Sequence, residues 1–250
     1  MFSINSQSPA FILEYLLEMK IKEAIILAGG LGTRLQSAVP NLPKCMAPVA
    51  GKPFLSYVID YYAAQGIEKF IFSLGYKHEI VEDYLNDEYT ILDMEYVIEE
   101  KPLGTGGAIQ FACGNARDKN ILVVNGDTIF KIDLETLSAL HIEKEAACTL
   151  CLKPLTKFDR YGVVELKEDR SIKSFEEKKF YEEGTINGGV YALNVKKLLA
   201  KKLPVVFSFE KDYLEAYCKK EPFYGCIQDN YFIDIGIPQD FEKAQAELAF

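Results

Sequence analysis

From Lys22 onward, short apolar runs and longer helical patterns take turns along the chain. Residues 24–27 form a β-branched apolar run, the mark of a buried strand, and a glycine-rich stretch follows at 29–35. Apolar residues at helical spacing cover 54–64 and stop at Gly66. The alternation then predicts a strand at 69–74, a helix at 78–85, a strand at 95–99 and a helix at 106–113. It continues with a strand at 121–125 running into Gly126 and Asp127, a helix at 134–143 and a strand at 148–152. Strands separated by helices of this length imply a mostly parallel sheet with helices on both faces. The second half is richer in turns, with strands predicted at 161–166, 188–193, 224–228 and 231–235 and helices at 195–202, 209–219 and 238–248. No linker or low-complexity stretch divides the halves. The expected fold is one domain over 21–250, a three-layer α/β/α sandwich with a Rossmann-like, mixed and mostly parallel sheet and a small added β region. In such open sheets ligands bind outside the carboxyl ends of the strands.

Residues 1–20 stand apart as an N-terminal arm. Its start is polar, and apolar residues then recur at helical spacing from Phe11 to Met19. Two readings fit: a short amphipathic helix packed on the domain or a neighbouring subunit, or a natural start at Met19. The arm lacks the basic n-region and small-residue cleavage site of a signal peptide.

Composition narrows the chemistry. With 28 basic and 37 acidic residues the net charge is −9, which excludes a general nucleic-acid binder. No apolar run approaches the ~20 residues that span a bilayer, so no membrane partner is expected. The six cysteines are scattered. Cys148 and Cys151 form a C-x-x-C within a predicted buried strand, and with only two histidines in the chain, zinc lacks a second ligand pair. Core thiols and a cytoplasmic location are expected.

Two segments are suited to anions. In the turn Leu27–Leu35, three glycines let backbone amides approach a phosphate, and Arg34 adds a planar, permanently charged fork. The spacing fits neither the dinucleotide fingerprint nor the P-loop. Ten residues on, Lys44 lies on a segment stiffened by Pro43 and Pro48.

The ordered set G-G-x-G-T-R-L, P-K-x-M-x-P-V and G-K-P-F-L resembles the sugar-1-phosphate nucleotidyltransferases. Further matches follow at Pro102–Ala108, Asn125-Gly126-Asp127, Phe175-Glu176-Glu177-Lys178, Asn187–Tyr191 and Asp234–Pro238. They run from Ala24 to about Asp240, nearly the whole chain, and within the family are most similar to the D-glycero-α-D-manno-heptose 1-phosphate guanylyltransferases. The resemblance implies a nucleotidyltransferase-type fold, with the β region binding sugar. It implies a reaction in which a sugar 1-phosphate oxygen attacks the α-phosphorus of a nucleoside triphosphate and pyrophosphate leaves. An attacking phosphate is already ionised near pH 7, so catalysis rests on positioning and charge neutralisation.

On the same resemblance, Asp127 and Asp234 hold Mg²⁺ between the phosphates. Arg34 clamps the leaving phosphates, Lys44 neutralises the α-phosphate, and Lys178 holds the attacking one. Glu177, Asn187 and Gly162 face the sugar, with Gly188 and Gly189 letting it approach the backbone, and Arg160 is a second phosphate contact or a surface charge. Ala28, Gly29, Gly30, Gly32 and Thr33 surround the nucleotide, as do Gly104, Thr105 and Gly106. Asp133 is expected to cap the helix at 134–143 instead.

The Gly29-Gly30 backbone is expected to read the edge of the base together with Glu99; the alternatives are that Glu100 is the reader or that Glu99 is an ordinary rim charge. A carboxylate accepts two hydrogen bonds, and guanine offers adjacent N1–H and N2–H₂ donors, so GTP is the expected substrate. The expected sugar is heptose 1-phosphate, with mannose 1-phosphate and other nucleotides as alternatives and a surface glycan (capsule, lipopolysaccharide or S-layer) as the destination. A non-catalytic nucleotide-sugar regulator should have lost Arg34, Lys44, Asp127 or Asp234, and a nicotinamide dehydrogenase needs a different loop spacing. A homodimer or tetramer is the expected assembly.

Overall fold

Along β1 (Glu23–Leu27) the side chains part to two sides, Ala24 and Ile26 to one hydrophobic core and Ile25 to another. The computed structural model describes residues 20–30, 32, 35 and 39–249; the expectations for residues 1–19, Thr33 and Arg34 lie outside these. After a 3₁₀ turn at Lys44–Met46 come β2 (Pro48–Val49), β3 (Lys52–Pro53), α1 (Phe54–Ala64), β4 (Lys69–Leu74), α2 (His78–Glu88), β5 (Asp93–Ile98) and α3 (Gly104–Ala112). Next are β6 (Asn120–Asn125), β7 (Thr128–Phe130), α4 (Leu134–Glu143), β8 (Cys148–Phe158), β9 (Val164–Leu166), β10 (Ile172–Phe175) and β11 (Tyr181–Asn194). The chain continues through α5 (Val195–Leu199), a π-helix at Phe209–Glu215, β12 (Phe223–Ile227), β13 (Phe232–Asp234) and α6 (Pro238–Glu247).

Seven strands form the central sheet in the order β12-β8-β11-β6-β1-β4-β5. All neighbours are parallel except those of β11, which runs antiparallel to both β6 and β8. Alternation gives each strand two apolar faces: Phe70, Phe72 and Leu74 of β4 point one way, Ile71 the other. On the first face lie α1, α2, α4 and α6, through residues such as Val58, Leu85, Leu137 and Phe241. On the second lie α3, α5 and the π-helix, through Ile109, Leu198, Phe209 and Tyr213. The expected three layers are therefore present.

The boundaries differ where the chain leaves the core. β8 runs to Phe158 and β11 starts at Tyr181, because residues 153–158 and 181–186 pair with each other beyond the sheet. That ribbon is half-exposed, so no apolar run marks it. With the β9–β10 hairpin it makes the small β region; only Val164–Leu166 of the predicted 161–166 strand is extended, and β7 and β10 were not foreseen. The predicted helix at 209–219 is a π-helix in its first two turns, and Ser208 caps it by accepting from the Lys211 amide at 3.2 Å.

Alternation also settles the cysteines. Cys148 faces one core and Cys151 the other, so the C-x-x-C cannot grip one ion. All six thiols are free and buried. Asp133 caps α4, accepting from the Glu135 and Thr136 amides at 2.9 and 3.2 Å.

His141 of α4 is a buried ionisable side chain. Its Nδ1 lies 3.0 Å from the Thr149 hydroxyl and its Nε2 3.3 Å from the Asn120 side-chain oxygen. Burial, with Lys197 and Lys119 nearby, pushes its pKa down to about 3. Above pH ~6.5 the ring is neutral in both folded and unfolded chains and costs nothing. Below that, only the unfolded chain takes up the proton, so stability falls as pH drops from about 6.5 toward 3. Urea melts at pH 6.5 and 4.5 should show a His141-dependent loss of roughly 2–3 kcal/mol. His141→Gln should flatten that part of the profile; parallel profiles for the two proteins would acquit His141.

Candidate active site

The carboxyl ends of β1, β4 and β6 open onto a cavity of about 700 Å³. Its floor is the glycine turn, where Ala28, Gly29, Gly30 and Gly32 line the space together with Lys44 and Asp127. Glu99, Glu100, Gly104 and Thr105 form the opposite wall. Gly29 is wedged so tightly that a Cβ there would lie 2.9 Å from Glu99 Oε1 and 3.2 Å from the Leu74 backbone. The Gly126 amide donates to Leu27 O at 2.9 Å, which fastens the turn after β6 onto the end of β1.

Two carboxylates meet on this rim because β13 pairs antiparallel with β7, setting Asp234 opposite Thr128. The Ile235 amide donates to Asp127 O at 3.1 Å and continues that pairing. The Lys44 ammonium bonds Asp127 Oδ2 and lies 3.7 Å from Asp234 Oδ1. The Gly236 amide orients Asp234 by donating to Oδ1 at 2.7 Å, and the Thr128 hydroxyl reaches Asp127 Oδ1 at 3.2 Å. Burial raises the Asp234 pKa, the charge of Asp127 adds to the rise, and Lys44 opposes it. Thr128 and Gly236 were not singled out from the sequence; a Gly two residues after a strand-end Asp is the signal that could have found the second.

Glu99 is fixed by its own chain. Its Oε1 accepts from the Ser73 hydroxyl at 3.2 Å and its Oε2 from the Leu103 amide at 2.9 Å. Glu100 is exposed on the same wall. Gly104 and Thr105 reach the cavity, but Gly106 is buried beneath the Phe207 ring and is absent from the lining. The Gly106 amide donates to Phe207 O at 3.0 Å, so the first turn of α3 is closed by protein.

On the sugar side the reason given for two glycines needs correction. A Cβ on Gly188 would lie 2.4 Å from the Phe130 ring, and one on Gly189 2.5 Å from the Asn125 side chain, so both answer to packing within the protein. Asn187 sits at the bulge of β11, giving a hydrogen bond to the Tyr191 hydroxyl at 2.8 Å and accepting from the Gly189 amide at 3.1 Å. Gly162 lies against the Glu176 carbonyl, 2.4 Å from where a Cβ would be. Glu177 and Lys178 are exposed on the β10–β11 connection, and among the described residues they form no hydrogen bond with Lys44, Asp127 or Asp234. Arg160 is taken up by Asp240 at 2.5 Å and the Tyr161 hydroxyl at 3.1 Å.

A mixed, mostly parallel sheet carrying a glycine turn, a stiffened lysine and paired strand-end carboxylates defines a phosphate-handling site of the nucleotidyltransferase type. Residues 23–249 match the nucleotidyl transferase family, and the chain belongs to it. It is 50% identical over 226 residues to the D-glycero-α-D-manno-heptose 1-phosphate guanylyltransferase of Aneurinibacillus thermoaerophilus, covering 90% of this chain and 98% of that one. It is 44% identical to the enzyme of the same name from Campylobacter jejuni, covering 88% and 96%. Among solved structures it is similar to HddC from Yersinia pseudotuberculosis complexed with GMP-PN, with a TM-score of 0.81 and 34% identity over 91% of this chain and all of that one.

Proposed function

We infer that this chain transfers GMP from GTP to D-glycero-α-D-manno-heptose 1-phosphate, releasing pyrophosphate. The observation that carries the chemistry is the convergence of Lys44, Asp127 and Asp234 beside the glycine turn. The substrates follow from the two heptose guanylyltransferases that this chain matches over nearly their whole length.

In this reading a heptose phosphate oxygen forms a bond to the α-phosphorus as the bond to the β-phosphate oxygen breaks. Lys44 offsets charge gathering on the α-phosphate. Arg34 holds the departing pyrophosphate, and Lys178 and Glu177 swing onto the heptose phosphate and hydroxyls from their exposed connection. Asn187 contacts the sugar from the bulge of β11. Glu99, already fixed by Ser73 and Leu103, presents its remaining lone pairs to the guanine N1–H and N2–H₂.

Asp127 and Asp234 suit a divalent cation of the Mg²⁺ type. They are hard oxygen donors, and within the site their two negative charges are met by the single ammonium of Lys44. Among the described residues no third metal-binding side chain joins them, which leaves the remaining positions to phosphate and water, as Mg²⁺ prefers. When bound, the ion would neutralise the phosphates facing it. No helix among the described residues is long and apolar enough to cross a membrane, and six free thiols favour the cytoplasm as the compartment.

A matrix of GTP, ATP, CTP and UTP against a panel of sugar 1-phosphates, read as pyrophosphate release, tests the whole reading. GTP with the heptose phosphate should be fastest; a preference for UTP or CTP would overturn the guanine assignment. Glu99→Gln should cut the selectivity for GTP by roughly 10–100-fold, while Glu100→Gln should leave it nearly unchanged. The reverse pattern would transfer the base-reading role to Glu100.

A further inference from the structure

The Lys44 ammonium lies against both carboxylates that would hold a divalent ion. We propose that Lys44 is a resident counter-ion which gives up Asp127 and Asp234 when the divalent ion arrives, and that this release sends its ammonium to the nucleotide phosphate. The proposal rests on the two-carboxylate cation site inferred above.

Three observations support the exchange. First, Lys44 is engaged by both acids at once: it bonds Asp127 Oδ2 and lies 3.7 Å from Asp234 Oδ1. Its side chain is 12% exposed, against 32% and 27% for the two acids, so both carboxylates keep surface open to solvent. An ion that reaches them competes with the ammonium for their charge. Both cations cannot be fully neutralised by two negative charges. Once the divalent ion takes the pair, Lys44 is left with a partly buried charge and gains by pairing with a phosphate.

Second, the pocket around the ammonium is cut to its size. A Cβ on Gly236 would lie 3.1 Å from Lys44 Nζ and 2.8 Å from Asp234 Oδ1. Third, the stem of Lys44 abuts the nucleotide turn. Gly32 has a φ of +59°, and a Cβ there would lie 2.7 Å from Lys44 Cβ. The base of the lysine is therefore fixed against the glycine turn, while its tip is held by the two carboxylates alone among its side-chain partners in the described residues.

The exchange predicts that removing the ammonium strengthens metal binding by the empty enzyme. Mn²⁺ alone, with no nucleotide or sugar phosphate, is titrated into the full-length chain and free Mn²⁺ is read by electron paramagnetic resonance. Lys44→Met and Lys44→Gln should bind Mn²⁺ about tenfold more tightly than the native chain, while Lys44→Arg, which keeps the charge, should bind it weakly. Thermal melting gives a second readout. In chelator both neutral variants should melt below the native protein, and Mn²⁺ should raise their melting temperatures more than it raises the native one. Equal or weaker Mn²⁺ binding by both neutral variants, with equal thermal gains, would overturn the exchange and leave the two-carboxylate site standing. Absence of Mn²⁺ binding in every variant would overturn both.

Discussion

Replacing Asp127 or Asp234 with Ala should lower the turnover of GTP and heptose 1-phosphate by about 10³-fold or more. The reaction brings two anions together, and in the proposed reading these carboxylates hold positive charge at the meeting point. The fold has little reason to fail with either change. The two acids repel, and burial already disfavours the charged form of Asp234. Removing one relieves that repulsion and leaves Lys44 with the other. Melting temperatures close to the native value, together with lost pyrophosphate release at saturating Mg²⁺, would place the effect in chemistry. Asp127→Asn makes the sharper control. It keeps the shape and the Thr128 contact, removes only the charge, and should be nearly as inactive as the alanine variant. Undiminished rates in both alanine variants would refute the metal assignment.

What could be read from the sequence follows from where each segment lies. β1, β4 and β6 are buried on both faces, so their apolar runs are unbroken and their positions were legible. The acids and the glycine turn were legible for a related reason: each stands where such a run stops, at the sheet edge where ligands bind. The ribbon of residues 153–158 and 181–186 was not, since it projects into solvent and carries lysines, glutamates and a proline that break any pattern. β7 is only three residues long, and its meaning lies in its partner β13, more than a hundred residues away. Glycines were the hardest to interpret. A missing side chain makes room equally for a ligand and for the protein itself, and sequence does not say which. Gly30 lines the cavity with open space where a Cβ would stand, whereas Gly188 and Gly189 make room for Phe130 and Asn125.

Gly106 offers the strongest test of that distinction. A Cβ at this position would lie 2.1, 2.3 and 2.7 Å from three carbons of the Phe207 ring, which is itself only 3% exposed. The ring cannot retreat freely, because the Phe207 amide donates to the Leu103 carbonyl and the Phe207 carbonyl accepts from the Gly106 and Gly107 amides. Gly106→Ala should therefore cost about 3 kcal/mol, at the upper end for overpacking a core, measured by urea unfolding. Trimming the ring in Phe207→Ala should cost about 3 kcal/mol or more through the cavity it leaves. Combined, the two should cost at least ~1 kcal/mol less than their sum, since the alanine methyl then fills space that the ring has vacated. Strict additivity would mean that Gly106 and Phe207 do not press on each other. The same contact reaches the active site. The Thr105 hydroxyl bonds Glu210 at 3.0 Å and accepts from the Phe209 amide at 2.9 Å, so a shift of Phe207 tilts the wall that carries Gly104 and Thr105. In the single variant Gly106→Ala the KM for GTP should rise more than kcat falls, because the displaced wall holds substrate while Lys44 and the two acids stay in place.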